Sequence, residues 1–384
     1  MLMVTAVADN ITSPLGVTTA ANCEAVARGD TGLRRLGRIY DVERPVVASL
    51  FPVGVVDDIY APWKACGDGS MTRFEKLLVA SVSDALSGCD VNAASPSTIF
   101  VISSTKGNIE CLENGNGMDV SLPRSAAVVA RHFGNANTPI VVSNACISGV
   151  SAQILAMRLL ESGRYDHAVV AGCDVLSRFI VSGFQSFKAL AEYECRPFDA
   201  SRCGLNLGEA AATIIYSSMS RESVAGRWTL RAGAMRNDSN HISGPSRVGE
   251  GSFRCLKAVT QGCAPASIAF VNAHGTATLY NDEMESVAID RAGLADCPVN
   301  ALKGYYGHTL GAAGVLETII SMHAYGSGYV PATRGYASLG VSRRLKVSSH
   351  CQAIPPRATG FIKMLSGFGG CNAALRLGKG VLES

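Results

Sequence analysis

The sequence predicts an α/β protein whose parallel sheets are covered by helices on both sides. Three observations carry that reading. Short apolar strands alternate with amphipathic helices along the whole chain. Glycine, at 40 of 384 residues, exceeds its usual share of about 7% and suits tight turns and close backbone approaches. A strand–corner–helix unit recurs weakly in the two halves. Strands separated by helices need crossovers, which make neighbouring strands parallel and bury both faces of the sheet.

In chain order, helical spacing is clear first in RFEKLLVASVSDALSG, where Phe74, Leu77, Leu78, Val82 and Leu86 share one face. Strands follow at TIFVISS (98–104), PIVVS (139–143), HAVVAG (167–172) and AATIIYS (211–217). The polar, turn-rich stretch 235–252 reads as a joint. Beyond it lie strands IAFVNA (268–273), PVNAL (298–302) and GFIKML (360–365). The recurring unit is PIVVSNACISGVSAQILAMRLLESGRYD in the first half and PVNALKGYYGHTLGAAGVLETIISMHAYGSGYV in the second. If the halves are related, their two corners face a shared centre.

Composition excludes several classes. Apolar residues make up 47% and charged residues 17%, and no run reaches the roughly 18 apolar residues of a membrane span. The net charge of +3 spreads over 34 basic and 31 acidic residues, and SRRLK (342–346) is too short to argue for nucleic acid. Thirteen cysteines cannot all pair, none forms C-x-x-C, and the seven histidines make no zinc-like grouping with them. The N-terminus lacks the basic start and apolar core of a signal peptide. A cytoplasmic protein with reduced thiols is expected.

Cys146 stands where a helix begins, a place usually taken by Ser, Thr, Asp or Asn. An unperturbed thiol titrates near 8.5, and backbone N–H groups at a helix start favour the thiolate. Small neighbours (Ala145, Ser148, Gly149, Ser151, Ala152) leave the sulfur open to a substrate. A nucleophile on a rigid elbow and an ordinary small core residue are both compatible with this stretch. His274 ends a buried strand beside Gly275, with Asp282 and Glu285 eight and eleven residues on. His308 precedes a helix, five residues after Lys303. Each imidazole alone reads as well as a core hydrogen-bonding group.

Taken together, NACISG, RPFDASRCGLNLGEAAATI (196–214), VNAHGTAT, LKGYYGHTLGAAG and SGFGGCNAAL, in this order and spacing, resemble the β-ketoacyl-acyl carrier protein synthases, ketosynthases of the thiolase superfamily. The resemblance spans essentially the whole chain. It implies a five-layered αβαβα thiolase fold of two similar halves, 1–235 carrying the nucleophile and 236–384 carrying both histidines. It implies a homodimer, or a heterodimer with a related chain, paired through the N-terminal half. Cys146 matches the residue that takes an acyl group from the phosphopantetheine thioester of an acyl carrier protein. His274 and His308 match the two imidazoles that serve malonyl decarboxylation and condensation. The backbone N–H groups of Cys146 and Phe368 match the oxyanion hole, with Gly367, Gly369 and Gly370 letting that loop approach the sulfur or swing as a gate. Lys303 is expected to pair with Glu285 and so orient His308, and Asp282 to support. Arg196, Asp199, Arg202 and Glu209 are expected to form a buried polar framework, and Arg73 and Lys76 to dock the acidic carrier. The chemistry implies no metal and no organic cofactor beyond the carrier-borne phosphopantetheine.

The match departs at Ile147, Tyr305, Tyr306, Cys371 and Ala210, where the commonest branch carries other residues. These suggest a specialised ketosynthase of the aryl polyene, flexirubin or type II polyketide kind. A thiolase using Cys371 as a second thiol, a Cys/His hydrolase and a weakly catalytic chain-length partner subunit are the rival readings.

Overall fold

The computed structural model describes residues 2–380 except 38, 41, 43, 44, 66–69, 114, 116–119 and 242–243. Each half contributes five main strands in one spatial order. In the first half they are β1 (Met3–Thr12), β2 (Thr98–Ser103), β3 (Ile140–Val142), β4 (His167–Asp174) and β5 (Ala210–Met219), running β1-β5-β4-β2-β3. In the second they are β6 (Trp228–Asn237), β7 (Ile268–Asn272), β8 (Pro298–Asn300), β9 (Gly360–Gly367) and β10 (Cys371–Lys379), running β6-β10-β9-β7-β8.

Strand directions repeat as well. The first strand of each half is antiparallel to the last, and the last to the fourth. The fourth runs parallel to the second, and the second to the third. The expected duplication is thus a property of topology, and the sheets meet where Thr5 of β1 stands opposite Thr229 of β6. By this order the second copy begins at Trp228. A division at 235/236 cuts through β6, and the polar stretch 235–252 continues from that strand (its residues 242–243 lie outside the described part).

Helices α1 (Arg73–Ser87) and α2 (Leu122–His132) cover the outer face of the first sheet, and α3 (Ser148–Glu161) lies between the sheets. Helix α4 (Arg178–Ser186) stands beside Phe368, α5 (Glu250–Val259) and α6 (Leu279–Arg291) cover the second sheet, and α7 (Ala313–Gly326) joins α3 in the middle layer. Five layers result, as the resemblance implied. Helix α1 starts in a capping box, Thr72 accepting from the Glu75 N–H and Glu75 from the Thr72 N–H, and it buries Phe74, Leu77, Leu78 and Val82 as its periodicity predicts.

The middle layer is what positions the chemistry. Helix α7 is buried continuously from Ala313 to Met322, and α3 is buried over most of its length. Helices apolar all round belong in an interior. They touch through two glycines: a Cβ on Gly314 would lie 2.4 Å from the Val150 nitrogen, and one on Gly149 would lie 2.9 Å from the Gly311 oxygen. Gln153 donates to the carbonyls of both Gly149 and Gly314 and accepts from the Tyr216 hydroxyl. The two helix starts are therefore pinned together, one from each half.

Candidate active site

Cys146 sits four residues past β3 and just ahead of α3. Ala145 adopts a left-handed φ of 45°, a strained conformation for a residue with a Cβ. Ser148 secures this corner, accepting from the Asn144 N–H at 2.8 Å and donating to the Ala145 carbonyl at 2.6 Å. The thiol is only 7% exposed. Burial, then the neighbouring Cys371, push its pKa up to about 12, against the pull of Lys303 and the Phe368 N–H. The lowered thiol expected from the helix start is therefore corrected. Dehydration of the sulfur outweighs the partial charge of the helix end.

His274 follows β7. Glu285, on α6, clamps its corner, accepting the His274 and Gly275 N–H groups at 2.7 Å each. His308 enters from the turn before α7, its N–H donating to the Asn206 carbonyl at 2.7 Å. Its Nδ1 accepts from the Leu310 N–H at 3.3 Å, so the ring proton resides on Nε2, which has no partner among the described residues. The rings meet edge to face with centroids 5.0 Å apart. The Cys146 sulfur and one nitrogen of each ring all lie within 4.8 Å of one another. One half supplies the thiol and the other both imidazoles.

Both histidines are held well below the usual imidazole range, first by burial and then by the Lys303 ammonium, with Lys363 adding to the effect. They are neutral N–H donors at neutral pH. Two imidazoles and a thiol this close could hold a zinc-like ion, but the ammonium groups behind them oppose further positive charge.

Lys303 does not pair with Glu285. Its ammonium bonds Glu317 of α7 at 2.9 Å and the His274 carbonyl at 2.6 Å. Glu285 is already occupied by the His274 corner and Asn281. Asp282 accepts from the N–H groups of Phe198 and Ala277, and burial raises its carboxyl to about 6. Glu317 and Lys363 were missed by sequence reasoning. The visible signal for the second was a lone lysine inside the apolar strand GFIKML.

Among the framework residues, Asp199, Arg202 and Glu209 are buried, whereas Arg196 is exposed and donates to the Ser201 hydroxyl. Arg73 spends its guanidinium on Glu209 and Glu110, and Lys76 pairs with Asp57. Neither is a free docking charge.

A cavity of about 410 Å³ leads from Phe187, Lys188 and Tyr280 at the mouth, past Thr276 and Thr278, to Cys146, His274 and His308. Phe368 lies over the sulfur, its ring tilted against those of Phe184 and Phe187 with centroids 5.7 and 5.1 Å away. Gly367 permits this: a Cβ there would lie 3.1 Å from the Cys146 nitrogen and 2.9 Å from the Cys371 sulfur. The Phe368 N–H bonds the Cys146 sulfur. Tyr305 and Tyr306 pack into the core and do not line the cavity.

Two family models match the chain, the beta-ketoacyl synthase N-terminal domain over residues 67–221 and the C-terminal domain over 229–337. A 3-oxoacyl-(acyl-carrier-protein) synthase 2 of Rhizobium meliloti is 31% identical over 62% of the chain and 59% of its own length. Nodulation protein E of the same organism is 28% identical over 81% of the chain and 77% of its own length. The chain thus spans about three fifths of the first and three quarters of the second. The ishigamide ketosynthase/chain length factor superposes with a TM-score of 0.87 at 24% identity, covering 98% of this chain and 99% of that one, which shows the fold.

Proposed function

The chain belongs to the beta-ketoacyl synthase family, and we propose that it condenses an acyl group held on Cys146 with malonyl-acyl carrier protein to give a β-ketoacyl chain two carbons longer. The observation that carries this is the convergence of one sulfur and two neutral imidazoles within 4.8 Å at the floor of one cavity.

Among the described residues nothing bonds the Nδ1 of His274, so this ring can take the Cys146 proton as the sulfur attacks the incoming thioester and pass it to the phosphopantetheine sulfur as that carbon–sulfur bond breaks. The oxyanion forms between the N–H groups of Cys146 and Phe368. Malonyl thioester then replaces the spent carrier. Loss of CO₂ puts negative charge on the thioester oxygen, where His308 donates through Nε2–H and His274 through its remaining N–H. The resulting carbanion attacks the acyl carbonyl, the carbon–carbon bond forms and the carbon–sulfur bond to Cys146 breaks; the first proton has left on the carrier's thiol, so the departing thiolate takes a new one from solvent. The thioester and decarboxylation supply the driving force, so the reaction needs neither metal nor organic cofactor.

We place a phosphopantetheine arm in the cavity, its amides facing Thr276 and Thr278, with the carrier at the mouth near Lys188. No described helix is long and apolar enough to cross a membrane, and we place the enzyme and its carrier in the cytoplasm. The short, half-buried edge strand β3 supports pairing with a second ketosynthase-like chain.

Intact-mass analysis of carrier-bound products from acyl-carrier and malonyl-carrier proteins tests the reading. A product two carbons longer supports it. Free acid without such a product assigns a hydrolase instead, and no turnover in any supplied dimer assigns the chain-length partner role.

A further inference from the structure

Behind the imidazole pair lies a buried charge cluster with more cations than a single ion pair needs. Lys303 and Lys363 are both 0% exposed, and they share the two oxygens of Glu317, Lys363 taking Oε2. Lys363 also donates to the Ala273 carbonyl at 3.2 Å and the Asn272 carbonyl at 3.4 Å. These are the last peptide groups before His274. The charged and titratable groups that face Lys363 come from three neighbouring segments: Glu317 of α7, Lys303 of the turn before His308, and Glu285 of α6. Glu285 is an incomplete counter-charge, because burial and then Asp282 push its carboxyl upward.

We propose that Lys363 is a positioning residue of the condensation site. Its ammonium puts a second positive charge against one carboxylate behind His274 and His308, keeping both rings neutral, and its carbonyl bonds fix the strand end that carries His274. A lysine in the middle of a buried strand is costly in lost hydration unless paired, and Glu317 would be satisfied by Lys303 alone. Glu317 sits below the usual carboxylate range even though burial alone would raise it, because both ammonium groups act on it. Lys363 therefore stays charged while its own value is lowered to about 8, by burial first. This role rests on the ketosynthase reading, but its primary test does not.

The test is imidazole titration by NMR on protein carrying labelled histidine, with His274→Gln and His308→Gln spectra assigning the two signals. No substrate is present, so the outcome is separate from whether condensation occurs. In the wild type neither ring takes up a proton near 6.5. In Lys363→Met and Lys363→Gln the uptake is expected to move up by about one pH unit, the effect of removing a unit charge several ångströms away. The acid limb of malonyl decarboxylation should rise by the same amount. Folded variants with unmoved titrations would overturn the proposal. So would failure of both variants to fold, since Lys363 would then be a structural strut. If the titration moves while the wild type forms no condensation product, the function is refuted and the electrostatic assignment stands.

Discussion

Lys303 and Glu317 face each other at 2.9 Å beneath the two imidazoles, both cut off from solvent. Glu317 is the only described carboxylate bonded to either buried ammonium. Glu317→Leu leaves two cations buried without it, and a loss of about 3–5 kcal/mol is expected. Urea unfolding measures this, and a midpoint matching the wild type would contradict the shared pairing.

The buried thiol makes a kinetic prediction. With its pKa raised to about 12, the resting Cys146 is a thiol at neutral pH. Its alkylation by iodoacetamide should accelerate close to tenfold per pH unit between 7 and 9, without a plateau. A plateau below pH 8 would mean that the sulfur rests as the thiolate.

The two histidines should separate by step. His274→Ala and His308→Ala are each expected to slow malonyl decarboxylation by ~10²-fold or more. Because the Leu310 N–H places the His308 proton on Nε2, that ring cannot accept from the thiol. His308→Ala should therefore retain acyl loading of Cys146, and His274→Ala should lose most of it. Loading followed by mass spectrometry distinguishes them, and equal losses would refute the tautomer argument.

Gly367→Ala places a methyl group against the Cys146 nitrogen and the Cys371 sulfur. Overpacking of this kind costs about 1–3 kcal/mol. It should also push Phe368 off the sulfur and slow acyl loading more than it lowers the melting temperature. Normal loading would show that the loop has room that the close approach denies.

Asp282 binds its proton more tightly in the folded chain, at about 6 against an ordinary 3.8, because burial penalises the carboxylate. A raised carboxyl contributes stability below the unfolded value and loses it as pH rises through the folded one. Stability should therefore fall between about pH 4 and 6, and Asp282→Asn should flatten that slope. Denaturant titration at several pH values measures it, and a slope that persists in the variant assigns it to other groups.

Sequence legibility followed burial and chain neighbourhood. The apolar strands β2, β4 and β7 were plain because both of their faces are covered. Strands β1, β6 and β10 escaped notice: Asp9 and Asn10 in the first, Arg231 and Arg236 in the second and Arg376 in the third interrupt the apolar runs. Cys146, His274 and His308 were readable from local motifs. The partner of Lys303 was not, because Glu317 lies fourteen residues on and Lys363 sixty, and only the packing of α7 against β9 brings them together. The thiol's titration misled for the same reason, since burial is a tertiary property.

The glycine contact between Gly149 and Gly314 has an evolutionary corollary. Two copies of one scaffold, soldered at that point, share a single reaction centre, so each is free to drop what its sibling supplies. The thiol and the two imidazoles sit on different copies, so neither copy alone holds the whole cluster.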